Sequence, residues 1–155
     1  EAELSGSKEL VASEEYKERY KSTETPVLAN KFLCLSLLLE NSSAYNEAGW
    51  AALHAAWVVD DMKGETQASS FRRRAIDLWM QAQKAGQVFM EGDGAEDTLL
   101  TDLYRRIGDW KEAASAAERG LYLTTDETIS TILKFEESMI DQKDRQVYTV
   151  KDAFG

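Results

Sequence analysis

The sequence is short of the residues that break a chain into loops and of those that hold metals. One proline among 155 residues excludes a chain punctuated by proline turns. Nine glycines are too few for a collagen-like or low-complexity segment. The single cysteine, Cys34, cannot close an internal disulfide, so the stapled folds of small secreted proteins are excluded. The single histidine, His54, leaves too few ligands for zinc sites of the HExxH or paired-cysteine kind. No apolar run reaches the roughly 18 residues of a bilayer span, and no signal peptide is visible. Basic residues are in deficit: 18 Lys and Arg against 28 Asp and Glu give a net charge of -10. That sign repels both nucleic-acid phosphates and an anionic membrane surface.

The familiar chemical motifs are absent as well. There is no Walker loop, dinucleotide fingerprint or nucleophile elbow, so His54 has no companion for Ser-His-Asp chemistry. Glu91-Gly92-Asp93-Gly94 is only superficially calcium-like, because it lacks the ligand periodicity and the distal glutamate. It reads as a turn. Asp60-Asp61 is a carboxylate pair on paper, and reads more simply as the point where an apolar helix reaches solvent. Asn41-Ser42-Ser43 has the form of a glycosylation sequon and reads as a helix end. The expectation is a protein that is not an enzyme, with no metal, no cofactor and a cytoplasmic setting. Cys34 lies in the apolar run Phe32-Leu33-Cys34-Leu35 and is expected to pack as a small hydrophobe. The start at Glu1 suggests a processed protein or a fragment.

What is present is helical periodicity, almost without interruption. A chain of this length buries roughly 68–70% of its unfolded surface, enough for one real core, and a single domain over 1–155 is expected. Seven helices are predicted. The first covers about Lys8 to Lys21. Thr25 as N-cap and Pro26 at the first helical position open the second, which runs to about Glu40. The third covers about Ala44 to Met62. Its stretch from Trp50 to Val59 is apolar on nearly every face, which predicts burial all round and makes His54 a core histidine. Gly64 is expected to cap it in the left-handed conformation. The remaining helices are placed at about 65–85, 96–107, 110–122 and 126–142, the last N-capped by Asp126. The tail from Val147 to Phe154 is ambiguous. It could dock on the body or on another chain.

The segment from Leu100 repeats a pattern: Leu100-x3-Tyr104-x3-Gly108-Asp109-Trp110-x2-Ala113-x3-Ala117-x2-Gly120-Leu121. This resembles a tetratricopeptide repeat (TPR). Asp97 stands where that repeat has an early aromatic residue, and the closing proline is missing. Trp50, Leu53 and Trp57, followed by Ala68 and Ala75, form a looser copy with a longer turn at Gly64. The implied fold is all-α: TPR-like antiparallel hairpins stacked into a short right-handed superhelix or a compact bundle. The looser hairpin would occupy about 44–86, the better repeat about 95–123, and a capping helix about 126–142. The segments Ala52 to Asp61, Phe71 to Ile76 and Leu103 to Asp109 also resemble the TPR-like tail of a family of uncharacterised bacterial proteins with a cysteine-rich, zinc-type head. That resemblance implies a fold and says little about function.

The function expected is a protein-interaction or scaffold module, the partner being a protein, a peptide or a second copy. On the better repeat the concave face would carry Thr98, Asp102, Arg105 and Arg106, with Arg72 contributing from the looser one. Arginine suits bidentate capture of a carboxylate, and internal pairing in an acid-rich protein is the alternative use of the same residues. The matching surface of the looser hairpin, Ala48, Ala51, Ala55, Val58 and Val59, is wholly apolar and needs a cover. The first or second helix could supply it. A different class of function is a small-ligand site in a pocket lined by Trp50, His54, Trp57 and Trp79, against ordinary core packing of the same rings.

Overall fold

The computed structural model describes the backbone from residue 2 to 155 and side chains from residue 6. It is all-α, with nine helices and no strand among the described residues. Contacts divide the chain into two compact units, one reaching to Phe89 and the other running from Met90 to Gly155. The boundary falls at the loop expected between 90 and 94.

The first unit holds α1 (Ala2–Ala12), α2 (Glu14–Lys21), α3 (Val27–Asn41), α4 (Tyr45–Asp60) and α5 (Glu65–Lys84). The single first helix expected at 8–21 is two helices. Ser13 separates them because its hydroxyl caps the second, accepting from the Tyr16 N–H at 3.2 Å. Pro26, not Thr25, stands at the N-cap of α3. Thr25 instead donates from its hydroxyl to the Asn30 side-chain carbonyl. The α4–α5 turn also differs from expectation. Lys63 takes the left-handed conformation at φ 59°, whereas Gly64 sits at φ -86° as the N-cap of α5. Glycine is needed there for space: a Cβ on Gly64 would lie 2.5 Å from a Val59 methyl.

α4 lies between α3 and α5 in contact and packs extensively against both. Ala48, Ala51, Ala55 and Val59 are buried. The apolar surface of the looser hairpin is therefore covered, and the Ser36 hydroxyl of α3 donates to the Ala48 carbonyl at 2.8 Å. α4 is not buried all round, however. Trp57 is 46% exposed, and Trp50, His54 and Val58 are half-buried, because the two neighbouring helices leave this one face of α4 uncovered.

The second unit holds α6 (Ala95–Ile107), α7 (Trp110–Leu123), α8 (Glu127–Asp141) and the short α9 (Val150–Phe154). α6 and α7 form the hairpin expected from the better repeat. Gly108 closes α6 at φ 82°, the left-handed cap that favours glycine. Ala113 and Ala117 are fully buried, and a Cβ on Gly120 would lie 2.8 Å from Leu133 of α8. Asp97, at the position that departs from the repeat, accepts from Arg119 Nε of α7 at 3.1 Å. Asp126 caps α8 as expected, accepting from the Thr128 and Ile129 N–H groups. The ambiguous tail resolves into a non-helical stretch, 144–149, and α9, which opens with a Thr149–Asp152 capping box.

Close approach is the device shared by both units. In the first, Gly49 of α4 faces the wholly buried Trp79 of α5, and a Cβ there would lie 2.4 Å from the indole nitrogen. Alanine gains about 1 kcal/mol of helix propensity over glycine. Over-packing a filled core costs about 1–3 kcal/mol. The second effect wins for a rigid indole, so Gly49→Ala lowers unfolding stability by about 1–2 kcal/mol. Denaturant titration followed by tryptophan fluorescence measures this, and an unchanged or raised midpoint would contradict it.

Candidate functional site

Two of the expected partner-binding residues of the better repeat, Asp102 and Arg105, meet directly. Arg105 leaves α6 and is 0% exposed. Its Nε donates to Glu136 Oε2 of α8 at 2.5 Å, and its Nη2 donates to Asp102 Oδ1 at 2.8 Å and to Glu136 Oε1 at 3.5 Å. Its Nη1 donates to the backbone carbonyls of Asp144 and Gln146, both at 2.9 Å. All five N–H donors of the guanidinium are engaged. The Tyr148 ring lies 5.6 Å from the guanidinium carbon and meets Phe135 edge-on at 5.1 Å. Arg105 and Asp102 are thus brought together, but in internal pairs, the alternative use foreseen for them. The half-buried Arg106 contributes its carbonyl, which accepts from Arg145 Nε at 3.0 Å. Thr98 turns away to its own helix start, donating to the Gly94 carbonyl at 2.8 Å.

Burial pushes the Glu136 carboxyl above its ordinary range, and the nearby Asp102 charge adds to this, while Arg105 pulls the other way. The Asp144 carboxyl is held below its ordinary range by the Tyr148 hydroxyl, then by the Gln146 N–H. The same hydrogen bond, 2.7 Å long, raises the Tyr148 phenol. The sequence reading missed Glu136, Phe135 and the 144–148 segment. Glu136 had a signal: it stands three residues after Leu133 and four before Ile140, an acid in the middle of the apolar stripe of α8.

Arg72, the residue expected from the looser hairpin, is 2% exposed and pairs with Asp60 at the end of α4. Asp60 therefore anchors α4 to α5, while Asp61 is exposed. Arg72 belongs to the first unit and the Arg105 cluster to the second. Cys34 is buried, and that burial raises its thiol above the ordinary range against the opposing pull of Arg19. Among the described residues no group of three or more metal-ligating side chains stands close enough to share an ion. No helix among them is long and apolar enough to cross a membrane.

The four residues expected to line a pocket form a series of ring contacts instead. Trp79 stacks on Phe89 at 4.8 Å and meets Trp50 edge-on at 5.1 Å. The Trp50 indole donates to the Phe89 carbonyl at 3.0 Å. His54 then meets Trp50 at 6.3 Å, Trp57 at 5.1 Å and Phe32 of α3 at 5.2 Å. The series runs from the wholly buried Trp79 to the exposed Trp57. At its outer end α3 adds Leu28, 54% exposed, and Leu35, 44% exposed. Leu28, Phe32 and Leu35 are spaced four and three apart, so they share one side of α3, and the Phe32–His54 contact joins that side to the open face of α4. Exposed acids frame it: Glu47 and Asp61 lie on the same side of α4, one turn before Trp50 and one turn after Trp57. This second apolar stripe on α3 was visible in the sequence as leucines outside the buried pattern.

Comparison with family models, curated proteins and solved structures returns no match for this chain.

Two outcomes follow from the Arg105 cluster. Arg105→Ala leaves Glu136 buried without its cation and lowers stability by about 3–5 kcal/mol, whereas Arg105→Met with Glu136→Leu recovers most of that loss. Chemical unfolding of the three chains checks both. The second outcome concerns pH. A carboxyl depressed in the folded state stabilises above its unfolded pKa, and that stabilisation is lost as pH falls through the folded value. Tyr148 should therefore stay docked on acidification through the ordinary aspartate range and detach below it. Its ring resonances followed by NMR report this, and release at or above the ordinary aspartate value would contradict it.

Proposed function

We propose that this chain is a non-enzymatic protein-interaction module that docks a basic amphipathic helix on the open face of α3 and α4. The observation that carries the reading is the joined row of Leu28, Phe32, Leu35, Trp50, His54 and Trp57. Large apolar side chains grouped on a surface mark contact sites, and aromatic residues dominate the energetics of such sites. Two adjacent helices present a shallow groove, which suits a helix carrying apolar residues at i, i+3 or i+4, and i+7. The acids Glu47 and Asp61 at the two ends, on a chain of net charge -10, select a partner with basic flanks.

The ring contacts of His54 are with Phe32, Trp50 and Trp57, surroundings suited to packing and not to proton transfer. The TPR-like spacing of Leu100 to Leu121 and the cytoplasmic setting expected from a lone thiol fit the same reading. A ligand pocket lined by the tryptophans is the weaker reading, because the ring of Trp79 is already taken up by Phe89 and Trp50.

The test uses a synthetic amphipathic helix with leucines at helical spacing and lysines on its flanks. Binding shifts the Trp57 emission, and Trp57→Ala weakens binding at least about tenfold, the scale of an interface anchor. Replacing the lysines by glutamates should also weaken it. Equal binding by wild type and Trp57→Ala overturns the proposal. So does sedimentation showing the face closed by a second copy of the chain.

A further inference from the structure

Arg105 is arranged as a receptor would be. Two of its three nitrogens, Nε and Nη2, are fixed by Glu136 of α8 and Asp102 of α6, so the guanidinium plane is set by these two helices alone. The third, Nη1, points both of its N–H groups at backbone carbonyls of the segment that follows α8. Backbone carbonyls carry no side-chain identity, so this contact reads the presence of a peptide, not its sequence. Arg145 adds a second backbone contact, through the Arg106 carbonyl.

The selective contact comes two residues beyond the second carbonyl. Tyr148 packs its edge on Phe135 and its ring beside the guanidinium. Asp144 braces the segment from inside, accepting from the Gln146 N–H and from the Tyr148 hydroxyl, each at 2.7 Å. An aspartate four residues ahead of a tyrosine is therefore the chemistry that fits.

The segment rests on a site that does not include it. Arg105, Leu133, Glu136 and Ile140 are all buried, whereas no residue from 141 to 155 is buried. Val147, Val150 and Phe154, the larger apolar residues beside the anchor, are exposed. A segment so held is replaceable by another chain with the same features, provided it overcomes the high effective concentration of a tethered competitor, of millimolar order for a short linker.

We infer that the cleft around Arg105 between α6 and α8 is a peptide-binding site. Its resident ligand is the chain's own segment Asp144–Tyr148, and it accepts in trans a non-helical peptide with aspartate four residues before tyrosine. The inference is independent of the α3–α4 face, which lies in the other unit.

The probe is a fluorescent peptide with the sequence of residues 142–155, titrated against full-length chains by anisotropy. Tyr148→Ala weakens the resident segment while every buried residue keeps its identity, and circular dichroism confirms that the helices persist. That variant should bind the peptide at least about tenfold more tightly than wild type does, because the tethered competitor is weakened. A peptide with its own tyrosine replaced by alanine should not bind. Trp57→Ala, combined with Tyr148→Ala, should leave peptide binding unchanged. Absence of binding to Tyr148→Ala, equal affinity for the two chains, or equal binding of the alanine peptide each overturns the inference.

Discussion

A guanidinium with five N–H donors and no exposure to water must find acceptors for all of them, and the second unit is arranged around that demand. α6 carries the group, α8 brings the Glu136 carboxylate under it, and the chain then turns back so that the carbonyls of Asp144 and Gln146 close the set. Each unpaired buried donor costs about 1–3 kcal/mol, so the path of the chain after α8 is constrained by hydrogen bonding as much as by apolar contact. The small residues of α7 serve the same end. Gly120 lies against both Asp97 of α6 and Leu133 of α8 with no room for a Cβ, so α7 holds the two helices close on either side of it.

The first unit meets a different constraint. α4 is rich in apolar residues on every side, and two neighbours cannot cover a whole cylinder. α3 and α5 take the small side of α4, where Ala48, Ala51, Ala52, Ala55 and Ala56 allow backbones to approach. The large aromatic residues are left at the edge and the outside. Trp79 and Phe89 bury the inner end of their ring series, and Trp57 stands in the open. The exposed face is thus a consequence of packing by size: the alanines of α4 face helices, and its Trp57 is left facing outward.

Much of this fold was legible in the sequence, and the failures are instructive. The hairpin of α6 and α7, the Gly108 cap and the Asp126 cap depend on local chemistry and match their predicted places. Helix ends set by a competition between neighbours do not. Ser13 reads as an ordinary residue in a charged helix until its hydroxyl is seen capping α2, and Gly64 reads as the left-handed end of α4 until Lys63 is found in that conformation. The candidate site was half legible. Arg105 and Asp102 stand out as a charged pair on one helix face, but Glu136, the second carboxylate on Arg105, is 31 residues away and the carbonyls that Arg105 meets carry no sequence signature.

The sequence by itself determined the helical class, most helix boundaries, the small-residue seams and the sign of the surface charge, because periodicity, capping and charge are properties of near neighbours along the chain. Only the tertiary structure decided that the contacts form two units, that Arg105 is buried and satisfied, that the Asp144–Tyr148 segment covers it, and that one aromatic face of α3 and α4 stays open. Those outcomes rest on which surfaces meet across long stretches of chain. A helix pattern shows that a residue is apolar or charged, but not whether a neighbouring helix or water lies opposite it.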